Sequence, residues 1–376
     1  MNISVCEPFL NGREAEYVMD AVRTGWISSS GKYVNAFEAA FAEYCGVKHA
    51  VAVCNGTVAL HLALKSIGIG PGDEVIVPNF TMIASAFAVC YTGARPVFVE
   101  ADRETWNMDV GLLQEKITSR TRAIMAVHLY GLTCDMDALR RIAGHKDITL
   151  IEDAAEAHGA SYKGRKAGSL SSIAAFSFYS NKNLTTGEGG MVVTDDEELW
   201  KRAKYFKNLC FPLDAPRTYV HADIGFNYRM SNVHAAIGLA QVEKADEYVA
   251  LRRRNAERYR ELLSGVPGLA FQKVPQGPEG HYIHAHWMNC LVVEPEQYGR
   301  TRDDLSVYLA SKGVETRLLF VGMHRQPALR EYVSPNDAFP VSDWLSNNGL
   351  YLPSASSLTE EQIRYVADCI RGFTKR

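Results

Sequence analysis

The stretch FSFYSNKNLTTGEGG, residues 176–190, sets one lysine, Lys182, between an apolar strand pattern and a run of small, hydroxylated and glycine residues. The strand half reaches back to Ala174 (AAFSFY, 174–179), and a second strand pattern, GMVVTD (190–195), follows the glycines. Further out lie ITLIED (148–153), AIMAVHLYG (123–131), RPVFVE (95–100), DEVIVP (73–78) and AVAVCN (50–55). Amphipathic segments such as TVALHLALKSI separate several of these runs. The alternation predicts an α/β domain with a mainly parallel sheet and helices on its faces. Runs that are apolar throughout fit strands buried on both sides.

A long helical pattern from Asn232 to Leu263 leads into a region with fewer strands and helices, read as a smaller α+β domain. The expected division is 1–248 for the large domain, N-terminal segment included, and 249–376 for the small one. Arg252, Arg253 and Arg254 fall in the helical pattern and read as a solvated face.

Of the 376 residues, 47% are hydrophobic and 22% charged, as in a globular protein with a sizeable core. A formal net charge of -3 gives no electrostatic case for nucleic acid or an anionic membrane. The N-terminal MNISVCEPFL lacks the pattern of a secretory signal. The apolar stretch from Met82 to Ala94 falls short of the ~20 residues that span a bilayer, and reads as a buried helix. Eight cysteines are scattered without a CxxC pair, which suggests reduced thiols in a cytoplasmic protein and no metal site.

In a parallel α/β sheet, ligands collect beyond the carboxyl ends of the strands. Gly56 and Thr57 follow one strand and open a helix, where free N–H groups and a hydroxyl suit an anion, although Thr57 also reads as a plain N-cap. GIGPGDE (68–74) precedes a strand and is a turn, not a dinucleotide fingerprint. Asp153 ends another strand, beside Glu152 and Glu156, and the three also read as an ordinary solvated carboxylate cluster. As a buried anion Asp153 would hold a cationic ring nitrogen with roughly 4 kcal/mol at ~4 Å and an effective dielectric of ~20. His128 and Tyr130 end a further strand. A lone lysine also reads as a surface residue, but Lys182 follows FSFY, where desolvation lowers an amine's pKa and favours a nucleophile able to form a Schiff base with an aldehyde. Phosphate anchor, ring-nitrogen partner and Schiff-base lysine together describe a site for pyridoxal 5'-phosphate.

The strings EDAAEAHGA (152–160), FSFYSNKNLTTGEGGMVVTDD (176–196) and GFNYRMSNVHAAIGLAQ (225–241) resemble the sugar aminotransferases of the DegT/DnrJ/StrS family. The likeness runs along nearly the whole chain, from WISSSGKYVNAFEAAFAEYCGVKHA (26–50) onward. It implies the aspartate-aminotransferase fold (fold type I) and a pyridoxal-phosphate enzyme. Lys182 is then the Schiff-base lysine and Asp153 the partner of the pyridine nitrogen. Glu156 stands where many relatives have glutamine near the cofactor's 3-hydroxyl. Gly56, Thr57 and Ser177 match phosphate contacts, and Met82 replaces an aromatic that stacks on the ring. Asn227 matches a phosphate ligand from the neighbouring subunit, which implies a homodimer with shared active sites. Trp26, Ser28, His128, Tyr130, Arg229, Arg317 and His324 are expected near the substrate. The implied reaction takes an amino group from L-glutamate to C4 of a nucleotide-linked 4-keto-6-deoxy sugar. GDP-4-keto-6-deoxymannose is the expected acceptor, with UDP- and dTDP-linked sugars as alternatives. A 3-dehydratase on the same fold carries histidine in place of the lysine, so Lys182 argues against that rival.

Overall fold

The computed structural model describes residues 1–144, 148–216 and 218–374, and the seven strand patterns form one sheet. Its strands are β1 (His49–Val53), β2 (Glu74–Pro78), β3 (Arg95–Val99), β4 (Thr121–Val127), β5 (Thr149–Asp153), β6 (Ile173–Ser177) and β7 (Gly190–Thr194). They lie in the order β1-β7-β6-β5-β4-β2-β3. Every pair from β6 to β3 is parallel. β7 runs antiparallel to both of its neighbours, β1 and β6. The segment carrying Lys182 is therefore a wide hairpin between β6 and β7, while helices connect most of the parallel strands.

Both faces of the sheet are covered, and the period of two is visible in β1 and β7. Ala50, Ala52, Met191 and Val193 join one apolar cluster, and Val51, Val53 and Val192 join the other. The first cluster packs on α1 (Glu14–Arg23), α2 (Lys32–Cys45) and the later helix α6 (Asn232–Val242). The second packs on α3 (Gly56–Ile67), α4 (Ala84–Tyr91) and α5 (Glu197–Lys207). All five residues of β2, β6 and β7 are buried, which explains why those runs lack polar alternation.

The small unit holds a second sheet of β8 (Leu269–Phe271), β9 (Asn289–Val293), β10 (Arg317–Leu318) and β11 (Gly349–Leu352), antiparallel throughout in the order β8-β9-β11-β10. The boundary expected at 248 falls inside one continuous helix, α7 (Ala245–Leu263). Tyr248 and Val249 pack in the large core, and Tyr259 and Leu263 in the small one. Two further segments cross the expected line. Ile3 bridges Val314 and is buried in the small core, so the first residues leave the large unit even though α1 stays in it. Tyr282 and Ile283 pair with Ser161 and Tyr162 of the large unit, and Trp287 N–H donates to Tyr130 O at 2.9 Å. Buried backbone groups take partners wherever the chain passes, so the two units share backbone pairing as well as a helix.

Candidate active site

The carboxyl ends of β1, β5 and β6 meet at an open cavity of about 340 Å³. After β1 the chain turns into α3, where Asn55, not Thr57, caps the helix by accepting from Val58 N at 3.0 Å. A short amide can fold back on the helix start, so the cap had a signal one residue before the expected pair. Thr57 is left to face the cavity. A Cβ on Gly56 would stand 2.6 Å from Ser177 Cβ, and one on Gly190 would stand 2.3 Å from Asn55 O. The ends of β1 and β6 and the start of β7 touch backbone to backbone, and only glycine permits that approach. The result is a concave cradle of N–H groups and hydroxyls at the positive end of a 12-residue helix.

Opposite the cradle, Asp153 is 5% exposed. Its Oδ2 accepts from Ser85 Oγ at 2.7 Å and its Oδ1 from Ala155 N at 3.1 Å. Burial pushes its carboxyl above the usual range, against the pull of those two hydrogen bonds. Glu156 is equally buried and accepts from Tyr130 N at 2.7 Å; burial pushes its carboxyl up to about 7, opposed by the Lys182 charge. The same desolvation lowers the Lys182 amine, which Glu156 and Asp153 counteract. One amine and two acids thus share a space that solvates none of their charges well, and a cation arriving beside Asp153 would favour its anion.

Seven of the expected residues line this cavity: Gly56, Thr57, Met82, Asp153, Glu156, Ser177 and Lys182. Met82 is half exposed there. Tyr179, Trp287 and Phe320 complete the walls and were not foreseen. Trp287 reaches the site because Arg252 holds its backbone. Arg252 is 2% exposed and donates to Trp287 O at 3.0 Å, to Ser356 Oγ at 3.0 Å and to Ser354 O. The expectation of a solvated arginine face therefore fails at this residue: three carbonyl and hydroxyl acceptors replace its water.

The expected substrate contacts do not line this cavity. His128 is fully buried; its Nδ1 accepts from Cys134 N at 3.3 Å, which leaves Nε2–H to donate to Glu152 Oε2 at 2.9 Å. Tyr130 is also fully buried, with its ring 5.6 Å from that of Phe320, and only its N–H serves the site through Glu156. Both were expected at the substrate because a strand end and an aromatic look alike in sequence whether they face a cavity or the core behind it. Trp26 is exposed on the loop before α2, and Ser28 O accepts from Asn232 N at 2.6 Å. Arg229 Nε donates to Asn227 Oδ1 at 2.9 Å; Arg229 lies beside Ser29 and Lys204, and neither residue lines the cavity of its own chain. Arg317 is exposed and paired with Glu315 at 3.2 Å. His324 has both ring nitrogens engaged, by Asn79 at 2.9 Å and Asp343 at 3.2 Å, and does not line the cavity. Among the described residues, no group of three or more His, Cys, Asp or Glu could hold a metal ion, and no helix is long and apolar enough to cross a membrane.

Fold and site together define a pyridoxal-phosphate-dependent aminotransferase, and residues 8–371 match the DegT/DnrJ/EryC1/StrS aminotransferase family; the chain belongs to that family. It is similar to the GDP-perosamine synthase of Caulobacter vibrioides, 46% identical over 361 residues that cover 96% of this chain and 95% of the relative. It is also similar to the GDP-perosamine synthase of Escherichia coli O157:H7, 43% identical over 371 residues, covering 99% and 98% respectively. Among solved structures, DesV of S. venezuelae superposes with a TM-score of 0.90 at 36% identity, over 97% of this chain and 95% of that one. The cavity suits the cofactor. The Cβ-free cradle faces an anion with N–H groups, the buried acid at Asp153 has room for a cationic ring atom, and Lys182 offers an amine between them.

Proposed function

We propose that the chain moves an amino group from L-glutamate to C4 of GDP-4-keto-6-deoxy-D-mannose, giving GDP-perosamine. The observation that carries this reading is the shared cavity of Lys182, Asp153 and the Gly56–Ser177 cradle, in a chain 40–46% identical to proteins named GDP-perosamine synthase.

Bound pyridoxal phosphate supplies an electron sink and a carbonyl carbon that can carry nitrogen. Gly56, Thr57 and Ser177 would hold its phosphate, Asp153 its ring nitrogen and Glu156 its 3-oxygen. Asp153 has the larger electrostatic duty: an unsolvated carboxylate keeps a proton on the nitrogen beside it. Lys182 would take a proton from the substrate carbon that bears the nitrogen and return it to the carbon on that nitrogen's other side. Its lowered amine pKa favours the neutral form which that transfer needs. Trp287 and Phe320 narrow the cavity and keep water from the amine. Asn227 and Arg229 stand outside their own cavity and carry an open polar face, which supports a homodimer in which they complete the neighbouring site.

Purified protein should be incubated with glutamate and a panel of GDP-, UDP- and dTDP-linked 4-keto sugars, and the products identified by mass spectrometry. The expected product is the 4-amino-4,6-dideoxy GDP sugar with its 3-hydroxyl intact. Clearly higher kcat/KM on a UDP or dTDP sugar overturns the acceptor assignment, and a 3-deoxy product overturns the amination itself.

A further inference from the structure

Asn79 follows β2 and is fully buried, yet every polar atom it carries is engaged. Its N–H donates to Val99 O at 2.7 Å, and its carbonyl accepts from Met323 N at 2.8 Å. Its side-chain Oδ1 accepts from His324 N at 3.1 Å, and its Nδ2 lies 2.9 Å from His324 Nδ1. The amide orientation is not free: turning it over would face its NH2 group against the His324 N–H. Nδ2 must therefore donate and Nδ1 must accept, so the ring's proton sits on Nε2, directed at Asp343 Oδ1 3.2 Å away. Gly322 shows how tightly the contact is drawn. A Cβ there would stand 2.8 Å from the His324 ring and 3.0 Å from Asn79 Nδ2.

The clasp ties the small unit's 319–326 loop to the strand-end segment that runs on into Thr81 and Met82 of the cavity wall. Phe320, on the same loop, is itself part of that wall. A second proton on His324 would set two N–H groups face to face, and neither amide orientation relieves the conflict. The charged groups facing the ring are Asp343, which favours that proton, and Arg325, 3.5 Å from the same Asp343 oxygen, which weakens the attraction. Phe339, 4.9 Å from the ring, adds none.

We propose that Asn79 is a positioning residue. It holds His324 as the neutral Nε2–H tautomer, fixes the Phe320 loop at the cavity mouth for the sugar nucleotide, and lets go when His324 gains a second proton. The assignment to the sugar rests on the function proposed above. A nucleotide sugar is far bulkier than glutamate and must lie against the loops at the mouth, so loop placement governs its binding more than that of the donor.

The test pairs nitrogen NMR of the full-length holoenzyme, histidine-labelled and without substrate, with kinetics across pH. In the parent, His324 Nδ1 should resonate as an unprotonated acceptor at pH 8. KM for the best-accepted sugar nucleotide should rise about tenfold on acidification as the two buried hydrogen bonds are lost, with the glutamate half-reaction changed less than about twofold. Asn79→Asp keeps the shape but replaces the donor with an acceptor. Its His324 should keep the second proton to higher pH, and its lowest sugar KM should move to the acid side. Gly322→Ala wedges the clasp without changing charge and should raise the sugar KM at every pH. A proton on Nδ1 in the parent at pH 8, an unshifted Asn79→Asp profile, or a Gly322→Ala KM within twofold of the parent each overturns the proposal. Were no sugar nucleotide to turn over, the function reading would fall, and the NMR titration alone would decide the clasp.

Discussion

Lys182 Nζ stands 3.7 Å from the centre of the Trp287 ring, on a wall built by the small unit's excursion into the large one. The ring's negative face favours the ammonium form while burial opposes it. A desolvated cation–π contact of about 2 kcal/mol is large enough to hold a proton on the amine that burial alone would release. Trp287→Leu should therefore let the amine lose its proton at a lower pH. The rise of the glutamate half-reaction rate with pH should shift down accordingly, and an unmoved profile would show that the contact does not tune the amine.

Lys182→Ala should abolish turnover and leave protein that borohydride cannot link covalently to the cofactor. A reducible adduct at another lysine would move the role away from Lys182.

Asp153→Asn keeps the hydrogen-bonding shape at Ser85 and Ala155 but removes the charge. Cofactor binding should persist through the cradle. Turnover should fall roughly a thousandfold, the scale of a ~4 kcal/mol ion pair. Rates near the parent's would refute the ring-nitrogen role.

Gly56→Ala inserts a methyl group 2.6 Å from Ser177 Cβ, so the cradle must open. Cofactor affinity should weaken at least tenfold, read by titration of the apoprotein, with far-UV circular dichroism unchanged. Parent-like affinity would place the phosphate elsewhere.

His158 sits among Phe41, Phe176 and Phe178 with neither nitrogen hydrogen-bonded, and burial brings it down to about 3. Its folded pKa lies below the unfolded value near 6.5, so the unfolded chain binds the extra proton between them. Stability is unaffected above pH ~6.5 and falls toward pH 3 by ~1.4 kcal/mol per unit from this group. His158→Phe should flatten the loss between pH 6.5 and 5 by that slope in urea unfolding. An unchanged slope would show that water reaches the ring.

The seven sheet strands were legible because burial on both faces leaves largely apolar runs. The reversed direction of β7 was not, since GMVVT reads the same whichever way it pairs. Lys182 and Asp153 could be found because a charge that ends an apolar strand stands out. His128 and Tyr130 end a strand in the same way, but they face the core, and sequence has no marker for that difference. Asn79 escaped notice for the opposite reason: its value lies in four hydrogen bonds, three of them to Met323 and His324 far away in sequence, and an asparagine after a strand otherwise reads as a turn residue. Arg252 hid in a run of arginines whose other members resemble ordinary helix surface.

The return of residues 281–288 to the large unit, with Arg252 bolting Trp287 in place, bears on how new specificities can be made from this scaffold. Exchanging everything after 248 with a relative would carry across the indole beside Lys182 and the arginine that holds it, and would sever a helix in mid-course. Acceptor preference and amine chemistry therefore travel as one inheritance. Grafts confined to the 319–326 loop, taken together with Asn79, offer a crossover that changes the Phe320 wall but leaves Lys182, Asp153 and Trp287 in place.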